Sequence, residues 1–474
     1  MLKITNLSLF TVLLILTLEA RAMNLQEYLN IVEENNGAVI AAKKNTEAKL
    51  QRQDEHTSSF VPNVFLNGIY SNDQRPNTSP AVLGTKTDRT YYQGGVTQAF
   101  RTGTNATLSY NILKTDMTGA TAVSEPLFYD VYPQLELSQS LWRNFNGNEI
   151  RAQETQQKSQ ARIEYLSESL KYKQLLMKAE LAYWKYYFSQ KNLAVQTENL
   201  ERAKKLRDWN QRRFTEHLVD EADALQTDAN YLARELEFQA ATEDLAQAER
   251  DFLSTIEKES ADKSLLNFSE GEKEIKNLNL LKLSVITGER EDVEISHSLL
   301  KAAEASASLG LERNKPIWEV YGTYARTGRD AKESKATADA WKNEGPYTTV
   351  GTRLIWSLDF AAVSRYKSAY SLEKINTDIN HRRKVYEAEK EWKDLNLKYQ
   401  ELQKRLTLVL KIADTQSKKL GSEKKRFSSG RSTTFQVLQF EQDYANAQLS
   451  KLKIEEAILA LYAQSKLFVG TKYE

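Results

Sequence analysis

The chain contains no cysteine, which excludes a disulfide scaffold, a thiolate metal centre, a cysteine nucleophile and a lipid-modified N-terminal cysteine. Histidine is nearly as scarce: His56, His217, His297 and His381 lie far apart and leave no zinc-ligand spacing. Charge of one sign is missing too, with 65 Lys and Arg against 64 Asp and Glu. Residues 1–22 hold Lys3, Arg21 and Glu19, so the remainder carries 63 of each and offers no basic footprint for nucleic acid. Helix breakers are few, 18 Gly and 7 Pro in 474 residues, which favours long helices. Beyond the N-terminal segment no run reaches 18 apolar residues, so no transmembrane helix is expected; a spanning β-barrel would leave little hydropathy signal. There is no phosphate loop, paired-histidine motif or nucleophile elbow, so no catalytic residue, cofactor or metal is expected.

Residues 1–22 combine Lys3, an apolar stretch from Leu7 to Leu18 and the small-x-small site Ala20-Arg21-Ala22, and read as a cleaved secretory signal peptide. The remainder is written twice. Arg213, Phe214, Asp220, Asp223, Leu225, Gln226 and Tyr231 recur 213 positions later as Arg426, Phe427, Thr433, Gln436, Leu438, Gln439 and Tyr444. Upstream, Pro62, Gly68 and Tyr70 match Pro316, Gly322 and Tyr324 at an offset of 254, and Trp142 matches Trp356 at 214. The change in offset places roughly 40 additional residues between Tyr70 and Trp142 of the first unit.

Each unit holds a proline-free stretch of 67 residues, from Asn148 to Phe214 and from Ala361 to Phe427. As a helix each would run about 100 Å. Val385, Trp392, Tyr399 and Leu406, with Leu395, Leu402 and Val409, form a coiled-coil seam in the second; Ile163, Leu170, Met177 and Trp184, with Leu181, Phe188 and Val195, form one in the first. Shorter returns follow, from about Asp220 to Ile256 and from Thr433 to Phe468, and helical segments also precede the prolines, at Leu25 to Phe60 and roughly Val293 to Arg313. Elsewhere the period is two. Val64, Leu66, Gly68 and Tyr70 share a face, as do Trp318, Val320, Gly322 and Tyr324; Val131, Pro133, Leu135 and Leu137 alternate with Gln134, Glu136 and Ser138, as Val350, Thr352, Leu354 and Trp356 do with Gly351 and Arg353. In a secreted chain this fits strands between lipid and a wet lumen.

With these features in order, the chain resembles the outer membrane efflux family, the TolC-like channels. The resemblance covers essentially the whole mature chain. It rests on the leader, the entry Ser58-Ser59-Phe60-Val61-Pro62, the strand end Leu137-Ser138-Gln139-Ser140-Leu141-Trp142 before a long helix, and Arg426-Phe427-Ser428-Ser429-Gly430 followed by Gln436-Val437-Leu438-Gln439. It implies an α+β membrane protein: a homotrimer whose protomers each give four strands to an outer-membrane β-barrel and whose long helices form a periplasmic α-barrel. The implied organisation is a signal peptide at 1–22, a first repeat at 23–256 with its helical hairpin at 148–256, an equatorial linker at 257–292, and a second repeat at 293–474 with its hairpin at 361–468. Tyr91 to Leu113 reads as an additional hairpin, either a surface elaboration or two more wall strands; the absence of an equivalent in the second repeat favours the surface role.

The implied function is a passive exit duct of a tripartite efflux or type I secretion system, fed by an inner-membrane transporter through a periplasmic adaptor (membrane fusion) protein. The implied aperture residues are Asp220, Asp223, Gln226, Gln436 and Gln439, with amides where acidic rings are expected in the second repeat. The implied adaptor-docking tips are Arg213, Phe214 and Leu218, and Arg426, Phe427, Gly430 and Arg431. A local role competes: Asp220-x-x-Asp223 and Thr433-x-x-Gln436 both resemble capping boxes, and Gly430 suits a left-handed helix end. Lys418, Lys419, Lys424, Lys425, Arg426 and Arg431 crowd the second tip and Glu216, Asp220, Glu221 and Asp223 the first, which suggests cross-tip ion pairs. Two other classes compete. A periplasmic coiled-coil structural protein without a pore would stay in the aqueous fraction, and the pump's adaptor itself would need a Gly-rich β-domain that the sequence does not show.

Overall fold

The computed structural model describes residues 24–76, 78–258, 283, 289–342 and 346–470. The leader read at 1–22 and most of the 257–292 linker lie outside them. In chain order the elements are α1 (Leu25–Asn35), α2 (Gly37–Gln51), a 3-10 segment (Arg52–Phe60), β1 (Asn63–Asp73), α3 (Pro80–Leu83), β2 (Lys86–Ala99), β3 (Thr104–Thr118) and β4 (Leu127–Ser140). There follow α4 (Asn148–Thr215), α5 (Glu221–Thr255), α6 (Glu291–Arg313), β5 (Ile317–Arg326), β6 (Gly328–Asp330), α7 (Glu333–Ala340), β7 (Pro346–Ile355), α8 (Phe360–Ser428), α9 (Thr434–Ser465) and a 3-10 turn (Lys466–Phe468). The described residues form two compact units, one from within Met1–Asn45, Glu168–Glu291 and Glu387–Glu474, the other from within Thr46–Ser167 and Asp292–Tyr386.

The first unit is helical. Its entry is fixed by Asn24, whose side chain accepts from Glu27 N (2.8 Å) while Glu27 reaches back to Asn24 N (3.2 Å), a capping box. The core centres on Tyr28, which stacks on Phe252 at 4.6 Å, and on Tyr183, Trp184, Tyr186 and Tyr187. Leu395, Tyr399, Leu402, Leu406 and Val409 are buried as the seven-residue spacing predicts. In α4 the buried set is wider than a seam, because aromatic residues from 183 to 188 turn most of the helix circumference inward, leaving Lys185 outside. Two buried carboxylates anchor the chain's last turns: Glu180 accepts from Lys466 Nζ at 2.8 and 2.7 Å, and Glu291 pairs with Lys173, which also donates to Val469 O (2.7 Å).

The second unit is built on an antiparallel sheet of order β1-β2-β3-β4-β5-β7, with β6 added beside β4. The additional hairpin, expected as a surface elaboration, is paired into this sheet between β1 and β4. Its strands are longer than the 91–113 pattern suggested and sit inside the sheet, in the register Val64↔Val96, Val96↔Leu108 and Leu108↔Leu135. The physical reason is that the hairpin repeats the parity of its neighbours, so it extends their apolar face while pairing its backbone on both sides. The opposite face is polar and self-satisfied: Tyr91 OH donates to Asn111 Oδ1 (2.6 Å), Asn111 Nδ2 donates to Tyr132 O (3.1 Å), and Arg329 binds Asp130 through two bonds of 2.6 and 2.9 Å. At one end of the apolar face α7 lays Ala336 and Ala340 against Val131; Gly328 lies beneath, where a Cβ would collide with Ala336 O.

Where α4 begins, Glu149 accepts from Arg143 (2.8 and 2.9 Å) and Arg313 (3.2 Å). Hydrogen bonding to Arg143 outweighs the opposing effect of burial and holds its carboxyl below the usual carboxylate range. A depressed pKa stabilises the fold above the unfolded value and the contribution is lost as pH falls through the folded one. Glu149→Gln is therefore expected to lower stability at neutral pH and to converge with the parent as pH drops below about 4.5, read as urea midpoints across pH.

Candidate functional site: helical tips and amphipathic sheet

At the first tip α4 ends through His217 in a left-handed conformation (φ 58°), with Leu218 N donating to Arg213 O (2.8 Å). Arg213 stacks over Trp209 at 4.5 Å. Asp220 occupies the N-cap of α5, yet its side chain makes no capping bond, so the capping box expected here is absent. The second tip has one: Gln436 N donates to Thr433 Oγ1 (3.3 Å) and Thr433 N to Gln436 Oε1 (3.4 Å). Gly430 ends α8 at φ 71°, a conformation that penalises a Cβ, with Arg431 N donating to Arg426 O (2.9 Å). Asp220, Gln226, Gln436 and Gln439 are exposed and Asp223 half-buried; Gln439 also donates to Asp443 (3.0 Å). Phe214 and Phe427 are half-buried, whereas Leu218, Arg426, Gly430 and Arg431 are exposed.

Among the described residues the cross-tip ion pairs do not form within one chain. Lys418 pairs with Asp414 (2.7 Å), Lys419 with Asp443 (3.4 Å), Lys424 with Glu441 (2.8 Å) and Arg426 with Glu423 (3.2 Å). Among the described residues none of these cations joins Glu216, Asp220, Glu221 or Asp223. Carboxylates one helical turn away, or on the facing helix of the same hairpin, are the nearer partners.

Contacts between one hairpin and the other lie nearby, and the sequence reading missed them; Arg202 of α4 lies over the Tyr444 ring of α9 at 5.6 Å. Trp209 and Phe427 pack ring on ring at 4.7 Å. Asn210, fully buried, donates to Thr434 Oγ1 at 3.3 Å and leaves its Oδ1 unpaired. Arg234, only 5% exposed, binds Glu237 (2.7 Å) on its own helix and Gln442 on α9. The repeat offset of 213 held a clue, because it pairs Asn210 with Glu423, also buried and held by Ser432 and Arg426.

In the other unit, the apolar sheet face leaves large side chains uncovered: Leu66 is 85% exposed, Val64 76% and Val350 75%, with Leu108, Leu135, Leu137 and Leu354 alongside. Aromatic residues gather where strands meet helices. Trp142 lies 6.2 Å from Trp356, which lies 6.0 Å from Phe360, and Trp318 donates to Thr352 (2.9 Å). Among the described residues no helix is long and apolar enough to cross a membrane, and no cluster of His, Asp or Glu could hold a metal ion.

No family model and no curated protein matches the chain. Solved structures do. The outer-membrane channel OprN aligns over 94% of this chain and 90% of its own at 14% identity, with a TM-score of 0.61. The outer membrane protein VceC of Vibrio cholerae aligns over 94% and 96% at 11% identity (TM-score 0.63), and the outer membrane channel CmeC of Campylobacter jejuni over 94% and 85% at 13% (TM-score 0.61). The chain has the TolC-like fold. Within that fold the duplicated sequence is explained by two helical hairpins and one shared sheet, and the six long strands of this TolC-like chain include the hairpin that only its first repeat carries.

Proposed function

We propose that the protein is the outer-membrane exit duct of a tripartite efflux or type I secretion system, a non-enzymatic channel. It acts as a homotrimer, with an inner-membrane transporter and a periplasmic adaptor supplying cargo and energy. The observation that carries this reading is the sheet: one face exposes contiguous Leu, Val and aromatic side chains, the other is polar, and β1 and β7 each keep one unpaired edge among the described residues. A lipid-facing sheet with open edges is untenable alone, so copies must close on one another. Likeness to outer-membrane channels supports the same reading.

The Arg213, Phe214 and Leu218 tip and the Arg426, Phe427, Gly430 and Arg431 tip are the adaptor-docking surface in this scheme, and Asp220, Asp223, Gln226, Gln436 and Gln439 line the aperture. The test is reconstitution of the purified full chain. It should require detergent, migrate as a trimer and conduct ions across a planar bilayer. A monomer that stays in buffer and remains electrically silent would instead be the pore-free structural protein.

A further inference from the structure

The hairpin β2–β3 has no counterpart in the second repeat, and two independent observations show what it does. The first is registration. Across the sheet, Leu66, Gly94, Tyr110 and Pro133 form one continuous outward row and Val64, Val96, Leu108 and Leu135 the next, so β2 and β3 carry the same apolar face as β1 and β4. A hairpin lying on a solvated surface would have no reason to match that parity through both of its strands.

The second is the turn between the strands, Phe100 to Gly103, which is stitched into the junction where the strands meet α4 and the 3-10 segment. Gln98 Nε2 donates to Phe60 O (2.8 Å), Arg101 pairs with Glu154 of α4 (2.6 Å) and lies over the Phe60 ring (5.0 Å), and Gln139 Nε2 donates to Thr102 O (3.2 Å). Gly103 and Gly147 interlock at positive φ, 78° and 73°; a Cβ on Gly147 would collide with Arg101 O and one on Gly103 with Asn144 O. The turn is thus anchored at the junction of the sheet with α4 and the 3-10 segment, while both strands are paired along their length within the sheet.

We infer that the hairpin is a wall element, so that three copies of six long strands close an outer-membrane barrel of 18 strands, each β1 pairing with the β7 edge of the next copy. The inference rests on the trimeric channel reading and extends it to the dimensions of the pore. Barrel diameter grows about linearly with strand number, so the ring is about one and a half times as wide as the 12-stranded ring that four strands per copy would give. Strand lengths suit the closure, since β1 has 11 residues and β7 has 10.

The absence of cysteine makes the test direct. Single variants Val96→Cys, Leu108→Cys and Leu135→Cys of the full chain, with Thr107→Cys as the lumen control, are spin-labelled and reconstituted in phospholipid vesicles. Collision with dissolved oxygen and with a water-soluble nickel chelate is then compared. Labels at 96 and 108 are expected to favour oxygen several-fold over the label at 107, matching the label at 135, and axial images of the unlabelled assembly should show 18 strands. Nickel-accessible labels at 96 and 108 beside an oxygen-favouring label at 135, or a ring of 12 strands, would overturn the wall assignment and leave the channel reading intact. Nickel access at 135 as well would overturn both.

Discussion

Phe252→Ala is expected to remove about 3–5 kcal/mol from the helical unit, the cost of deleting a fully buried aromatic ring that its surroundings cannot replace. Phe252 is wholly buried, stacks on Tyr28 at 4.6 Å and 14°, and meets Tyr186 at 5.1 Å, so α1, α4 and α5 converge on one ring. The neighbours are themselves aromatic and several are fixed by polar ends: Tyr28 OH is hydrogen-bonded to Thr255 Oγ1. Collapse into the vacated space would break those bonds, so a cavity should persist. Phe252→Leu retains most of the buried carbon and should lose chiefly ring pairing, about 0.5–1.5 kcal/mol for each pair. Urea unfolding followed by near-ultraviolet circular dichroism measures both, and an alanine variant with an unchanged midpoint would show that the ring is not central to the unit.

The sequence displayed its repeat and its two periods plainly, because both arise from local geometry. A seam every seven residues and an alternation every two are imposed by the backbone, and Leu395, Leu402 and Val409 fell inside while Leu66 and Val350 fell outside accordingly. The placement of the additional hairpin was not local. Nothing within Lys86–Thr118 states which strands lie on either side; that follows from pairing with Asn63–Asp73 and Leu127–Ser140, and comparison with the second repeat pointed the other way. The tips divided along the same line. Thr433 and Gln436 form the capping box that their spacing predicts, since every atom involved lies within one turn. Asp220 and Asp223 have a similar spacing and form none. The cations of the second tip found carboxylates on their own hairpin, a choice set by helix facing and invisible to a count of charges. Arg234 reads as one more surface arginine until the fold buries it against Gln442.

Those placements decide which substitutions should loosen the tips. Trp209→Ala combined with Arg234→Ala removes the ring contact to Phe427 and the buried guanidinium bound to Gln442, leaving Asn210 with Thr434 and Arg202 over the Tyr444 ring as links between the hairpins toward the tips. In the proposed channel, single-channel conductance of this double variant is expected to rise several-fold, with the largest share from Arg234, because a buried hydrogen bond from a charged group outweighs one aromatic ring contact. Arg234→Lys should fall between, since it keeps the charge and loses the planar fork. Asp220→Lys with Asp223→Lys should behave differently. Those carboxylates join none of the second tip's cations in ion pairs, so mean conductance should stay near the parent's while ion preference shifts toward anions. Helical content by far-ultraviolet circular dichroism must remain at the parent level for the comparison to hold. If the acidic pair changes conductance as much as the Trp209 and Arg234 substitutions do, charge at the mouth, and not packing between the hairpins, keeps the tips together.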